Sequence, residues 1–271
     1  MGQFLSVFIN VVTPVFAVVL VGYLAGPRLG LEVRTLSRVS YFVFMPAFVF
    51  DIVSEAPIQA GLTARMTVYI FAVYIGCALL AFGVAKGLGR SPEIVAMYVL
   101  IAVFSNSANF GLSMIKFRFG DEALVPGTIY FLALTLIGFV VGVAAASWAR
   151  GGALRAILSV FKTPSLIAFV PAAFFSATHI EVPLFATRIV GLLADAMIPV
   201  MLATLGVQLA QMGIPRISSD VVAASAVRLI GGPILAATTV IPSGLTGLER
   251  STGILQASMP AAVLTTIIAI E

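Results

Sequence analysis

The sequence predicts an all-α polytopic membrane protein made of two inverted five-helix repeats, and three observations predict it. Apolar residues make up 61% of the chain and charged residues 10%, where an ordinary soluble domain carries about 25% charge. Long uncharged segments recur from one end to the other. Landmarks of the first half return in the second at a nearly constant offset.

A soluble fold could not hide this much apolar surface, whereas a bilayer is the solvent that suits it. Residues 4–25, 66–85, 94–115, 123–149 and 251–270 contain no Asp, Glu, Lys, Arg or His. Each has about the 20 residues that a helix needs to cross the hydrocarbon core. A pass along the chain predicts nine spans, at about 5–25, 37–54, 66–86, 92–117, 123–149, 163–179, 185–211, 219–243 and 250–270. Spans two and six have the weakest hydropathy. Pro and Gly punctuate the joins, among them Gly26-Pro27, Pro57, Gly151-Gly152, Pro183 and Gly213 to Pro215. The apolar signal covers the whole chain, so no soluble appendage is expected. With no cationic leader before it and no small-residue cleavage pattern after it, span one reads as a true span.

Composition also narrows the function classes. The single cysteine, Cys77, excludes an intramolecular disulfide and a cysteine metal site. The single histidine, His179, lies near a segment end and reads as interfacial. No metal or cofactor is expected, and no nucleophile pair, G-x-S-x-G or H-E-x-x-H supports an enzyme. The net charge of +4 is spread over short loops, which suits membrane orientation and excludes nucleic-acid binding. Loops after odd-numbered spans hold nine Lys or Arg, and loops after even-numbered spans hold five. The positive-inside rule then places the N-terminus outside.

Thr13-Pro14 opens span one and Thr163-Pro164 opens span six, 150 residues later. Met45-Pro46 lies in span two and Ile198-Pro199 in span seven, 153 later. Ser105 to Asn109 interrupts span four and Gln256 to Pro260 interrupts span nine, 151 later. The repeats are 1–150 and 151–271, within one membrane domain. Five spans per copy make the second copy enter from the opposite side, which is the inverted repeat of many secondary transporters. A tenth helix would begin near position 274 and is therefore expected to be absent from this 271-residue chain.

The two interruptions carry the functional expectation. Ser, Asn and Gly weaken a helix, and Pro260 lacks an amide proton and frees a carbonyl one turn back. Broken backbone at membrane depth survives only when buried in protein or facing a wet cavity. Broken helices four and nine should therefore cross near the midplane, with half-helix N-termini that suit an anion. Ser105, Asn106, Ser107, Asn109, Gln256, Ser258 and Pro260 are the candidate substrate-binding residues, against the alternative that they only glue helices together. Asp195 in span seven and Arg228 in span eight are ionisable at depth. They form either a structural bridge, or a proton or cation site and a counter-charge for an anionic substrate. Asp51 and Glu93, nearer segment ends, read as interfacial.

Several stretches resemble bacterial members of the auxin efflux carrier family. They are NVVTPVFAVVLVG from Asn10 to Gly22, Met45-Pro46-Ala47-Phe48, SNSANFGL at 105–112 with Phe119 to Leu124 after it, and LQASMPAAV at 255–263. The resemblance implies ten helices in two inverted repeats, a scaffold part and a transport part, and a substrate site at the crossing of helices four and nine. There Asn106, Asn109, Gln256 and Pro260 would be the crossover residues. It also implies an organic-anion substrate, such as auxin or a dicarboxylate. Ser113 stands where bacterial relatives often have Pro. The fold is similar to that of bile acid–sodium symporters, so fold alone leaves the coupling ion open.

The expected function is thus a carrier for small organic anions by alternating access. The alternatives are a membrane sensor that binds such anions without moving them and a sodium-coupled symporter-like carrier. The expected partners are the anion, the bilayer of a bacterial inner membrane, and H+ or Na+ if transport is coupled. A homodimer stays open.

Overall fold

A computed structural model describes residues 2–56, 60–150, 163–212 and 217–262. The second half of span nine and Glu271 lie outside the described residues. Among the described residues the chain is helical, with one isolated antiparallel bridge and no longer strand. We number the helices α1 Leu5–Leu29, α2 Val33–Glu55, α3 Ala60–Gly87, α4 Pro92–Val103, α5 Leu112–Phe119, α6 Leu124–Arg150, α7 Pro164–Thr178, α8 Leu184–Met212, α9 Ser219–Ser243 and α10 Gly247–Ala257. Helices α4 and α5 are the two halves of span four, and α10 is the first half of span nine. Mean hydropathy is 2.3 for α1, 2.3 for α3 and 2.0 for α8, and large apolar side chains such as Leu20, Leu79 and Leu192 face outward. Helices of this length and polarity, greasy on the outside, make the chain a multi-pass membrane protein.

Local signals set the ends. Helix α1 stops at Gly30, in the left-handed region with φ 63°, where glycine carries no steric penalty. Pro92 and Pro164 open α4 and α7, where the missing amide proton costs nothing. Ser218 caps α9 by accepting from the Val221 amide. The lone His179 ends α7 in a left-handed turn, which agrees with its reading as a segment-end residue.

Among the described residues four π-helical turns interrupt the spans, at Phe8–Val12, Ser40–Phe44, Ser107–Gly111 and Val227–Gly231. Sequence reasoning does not anticipate them, yet three have one cause. Pro14, Pro46 and Pro233 each follow such a turn. A proline ring clashes with the carbonyl four residues back, which here belongs to Asn10, Phe42 and Leu229, the centre of each turn. Widening the turn moves that carbonyl aside. The Thr13 amide bonds Phe8 O and the Met45 amide bonds Ser40 O, five residues back in each case. The fourth turn has Ser113 in the proline position, and its hydroxyl donates to the carbonyl of Asn109, the central residue, at 2.8 Å. The backbone is already shaped for proline there. Ser113→Pro should therefore cost no more than about 1 kcal/mol, against about 3 kcal/mol in an ordinary helix interior. Thermal melting in detergent checks this, and a collapse of the folded fraction would refute it.

The chain forms two compact units, each drawing on both halves of the sequence. The first comprises residues 1–59, 108–128 and 161–215, and the second 60–107, 129–160 and 216–271. In the first unit α8 packs along α1, and α7 along α2. The crossing of α1 and α8 is very close. A Cβ on Gly22 would collide with the Ala203 carbonyl, and one on Gly206 with the Val19 carbonyl. Gly26, one turn beyond Gly22, lies against Val207. Small residues at such crossings let helices associate in lipid, where apolar burial alone offers no drive.

In the second unit α3 packs on α4 and α9, and α9 on α10. Gly253 abuts the ring of Tyr69, where a Cβ would approach Cε1 to 2.7 Å. Gly232 brings α9 against the end of α10, where a Cβ would lie 2.7 Å from the Ala257 carbonyl oxygen. Asp220, in the first turn of α9, accepts from Arg90 Nε and from the Tyr98 hydroxyl, both at 2.8 Å. These bonds tie the start of α9 to α4 and the chain just before it.

Candidate functional site

Both interruptions exist, and the structure brings them together within the second unit. Helix α4 ends at Val103, and Phe104 to Asn106 leave the helical path before the π turn at Ser107–Gly111. Helix α10 ends at Ala257, and the chain turns through Ser258 and Met259 into Pro260. The two breaks lie antiparallel, with a bridge between Ser105 and Ala261. The Asn106 amide donates to Pro260 O at 2.8 Å, and the Ala262 amide donates to Phe104 O at 2.8 Å. Each break thus satisfies peptide groups of the other, which is what broken backbone at membrane depth requires.

Arg228 holds the ends of both preceding half-helices. It sits on α9 and is 1% exposed. Its Nε donates to Met259 O at 2.8 Å, and one terminal nitrogen donates to Ala102 O at 2.9 Å. The other reaches Gln256 O at 3.5 Å, a carbonyl that Pro260 cannot bond and that also accepts from the Met259 amide at 3.2 Å. Helix C-termini carry unpaired carbonyls and a partial negative charge, so one buried cation stabilises two of them at once. The guanidinium also lies over the Tyr74 ring, 5.4 Å from its centre. Of the two roles open to Arg228 in the sequence, neither described this one, because its bonded partners are main-chain carbonyls.

Gln256 is fully buried, and neither end of its side-chain amide has a partner among the described residues. An unpaired buried amide costs about 1–3 kcal/mol, and this one lies beside the two breaks. Ser105, Asn106 and Ser107 are buried in the same unit, at 7%, 7% and 2% exposure. The Ser258 hydroxyl is already used, donating to Ile254 O at 2.7 Å. Asn109 falls in the π turn ahead of α5, within the first unit. Asp195 also belongs to the first unit, where it is exposed on α8 and near enough to Asp51 for their charges to interact. Among the described residues, no group of three His, Cys, Asp or Glu side chains is arranged to hold a metal ion.

Sequence reasoning missed two residues of this site. Tyr74 and Tyr130 are buried beside the breaks. The Tyr74 and Ser105 hydroxyls are 2.7 Å apart, and Tyr130 donates to the Tyr74 hydroxyl at 3.1 Å. The available signal was tyrosine in the middle of an apolar span, since a buried phenol usually needs a polar partner.

Greasy spans around two paired, polar helix breaks are the arrangement expected of a membrane transporter. Comparison with known proteins agrees. The family described as "Membrane transport protein" matches residues 153–271. An uncharacterized transporter of Methanothermobacter thermautotrophicus is 26% identical over 96% of this chain and 87% of its own length. An uncharacterized transporter of Methanocaldococcus jannaschii is 24% identical over 96% of the chain and 87% of its own length. A Rhizobium meliloti protein named "Putative malonate transporter" is 25% identical over 93% of the chain and 83% of its own length. The second half of the chain thus matches a membrane-transport family model, and nearly the whole chain is similar to proteins named as transporters.

Proposed function

We propose that the protein is a carrier for small organic anions, which bind where the breaks of spans four and nine meet and cross by alternating access. The observation that carries this reading is the antiparallel pairing of the breaks beside the Gln256 amide, which has no partner among the described residues. Main-chain amides, Asn106, Gln256 and Ser105 supply hydrogen bonds to a carboxylate. Arg228 supplies fixed positive charge nearby without entering the binding contacts. A site of this kind recognises an anion by dipoles in a low-dielectric setting, where each is worth more than in water. The name of the Rhizobium relative makes malonate the first substrate to try.

The remaining assignments belong to the same proposal. Residues 1–150 and 151–271 are inverted repeats. The second unit, which holds the breaks, is the transport part, and the first unit is the scaffold. Asp195 in the scaffold is a candidate for coupling to H+ or Na+. The excess of Lys and Arg on one side puts the N-terminus outside, in an inner membrane.

Uptake of radiolabelled malonate, malate and indole-3-acetate into proteoliposomes tests the function. We expect saturable uptake of at least one of them. Gln256→Ala should raise its KM at least about tenfold, as expected for losing hydrogen bonds to a charged group. Absence of uptake for all three acids would refute the carrier, and binding without uptake would identify a sensor.

A further inference from the structure

We propose that Ser105 offers its hydroxyl proton to the bound anion, and that Tyr74 and Tyr130 are positioning residues that direct it there. This rests on the breaks being the anion site and specifies how that site reads its ligand. Tyr130, on α6, donates to the Tyr74 hydroxyl at 3.1 Å. The one Tyr74 proton is then directed to Ser105 Oγ, 2.7 Å away. Ser105 Oγ therefore accepts, and its own proton is left to point into the break. A phenol is also a better donor than an aliphatic alcohol, which favours the direction from tyrosine to serine.

The relay cannot easily turn. Tyr130, Tyr74 and Ser105 are 0%, 1% and 7% exposed, so water does not compete for their hydroxyls. The two phenol rings meet edge to face, with centres 6.0 Å apart at 65°, and the Arg228 guanidinium covers the Tyr74 ring. Each donated bond polarises the next hydroxyl, strengthening its donation by about 10–30%. An anion is the best acceptor for the last proton, because charge roughly doubles the strength of such a bond. In the facing break the Ser258 hydroxyl is already committed to Ile254 O. A chain of hydroxyls ending in a free donor selects an acceptor ligand, and so selects the ionised acid over its neutral form.

A double-mutant cycle on the full chain in proteoliposomes tests this, with radiolabelled malonate as probe, or indole-3-acetate if the wild type takes only that. Tyr74→Phe and Ser105→Ala should each raise KM by about tenfold at unchanged Vmax, the size expected for one charge-assisted hydrogen bond. The double variant should be no worse than Ser105→Ala alone, because Tyr74 acts through Ser105. Tyr130→Phe should give a smaller rise, and Ser105→Thr, which keeps the hydroxyl, should restore the wild-type KM. If Tyr74→Phe does not fold, the cycle is run with Tyr130→Phe and judged alike. Multiplying KM effects in the double variant, or a loss of Vmax without a change in KM, overturns the relay and leaves the carrier standing. A wild type that neither binds nor moves these acids overturns both.

Discussion

Arg228→Met removes most of the folded protein from detergent extracts and abolishes anion uptake by the remainder. The substitution keeps the length and apolar stem of the side chain but takes the donors from the carbonyls of Ala102 and Met259, and the weaker one from Gln256. Each orphaned buried carbonyl costs about 1–3 kcal/mol, and the Ala102 and Met259 carbonyls lose their donors together. That is a large share of the stability of most folded proteins, about 5–15 kcal/mol. Arg228→Lys keeps the charge but has a point-like head that cannot span carbonyls on two helices, so it should fall between the two. Melting temperature and uptake at matched protein amounts provide the check. An Arg228→Met protein with wild-type melting and uptake would show that the half-helix ends do not need this cation.

Gly206→Ala should be the most damaging single methyl group in the first unit. Its Cβ would collide with the Val19 carbonyl and lie 2.6 Å from the Tyr23 amide nitrogen. Both obstacles are backbone, so no side chain can rotate away and α1 must separate from α8. Overpacking a core costs about 1–3 kcal/mol where side chains can yield, and the rigid obstacle here places the cost at or above the top of that range. Gly83→Ala is the control, since a Cβ there meets nothing within 4 Å. Size-exclusion profiles after a heating series check the pair. Equal survival of the two variants would contradict the tight crossing.

Much of this was legible beforehand because hydrophobic length and helix-breaking residues act locally. The uncharged runs located the spans to within a few residues, as with the expected 123–149 against α6 at Leu124–Arg150. Ser105, Asn106 and Pro260 marked the breaks because their chemistry disfavours helix wherever they occur. The π turns were not legible. Proline announces a disturbance four residues back, but whether the backbone kinks or widens depends on what packs around it. Ser113 is itself no helix breaker; the family resemblance pointed to a proline position there, and its bond to the Asn109 carbonyl shows how serine serves in it.

From the sequence alone came the membrane class, the positions of the breaks and the polar residues that flank them. These follow from transfer energies and backbone propensities that each segment carries by itself. Only the tertiary structure decided that the breaks pair, that Arg228 bonds main-chain carbonyls, and that two tyrosines stand behind Ser105. Those facts depend on hydrogen bonds between residues far apart in the chain, and buried polar groups take whichever partner the packing brings within reach.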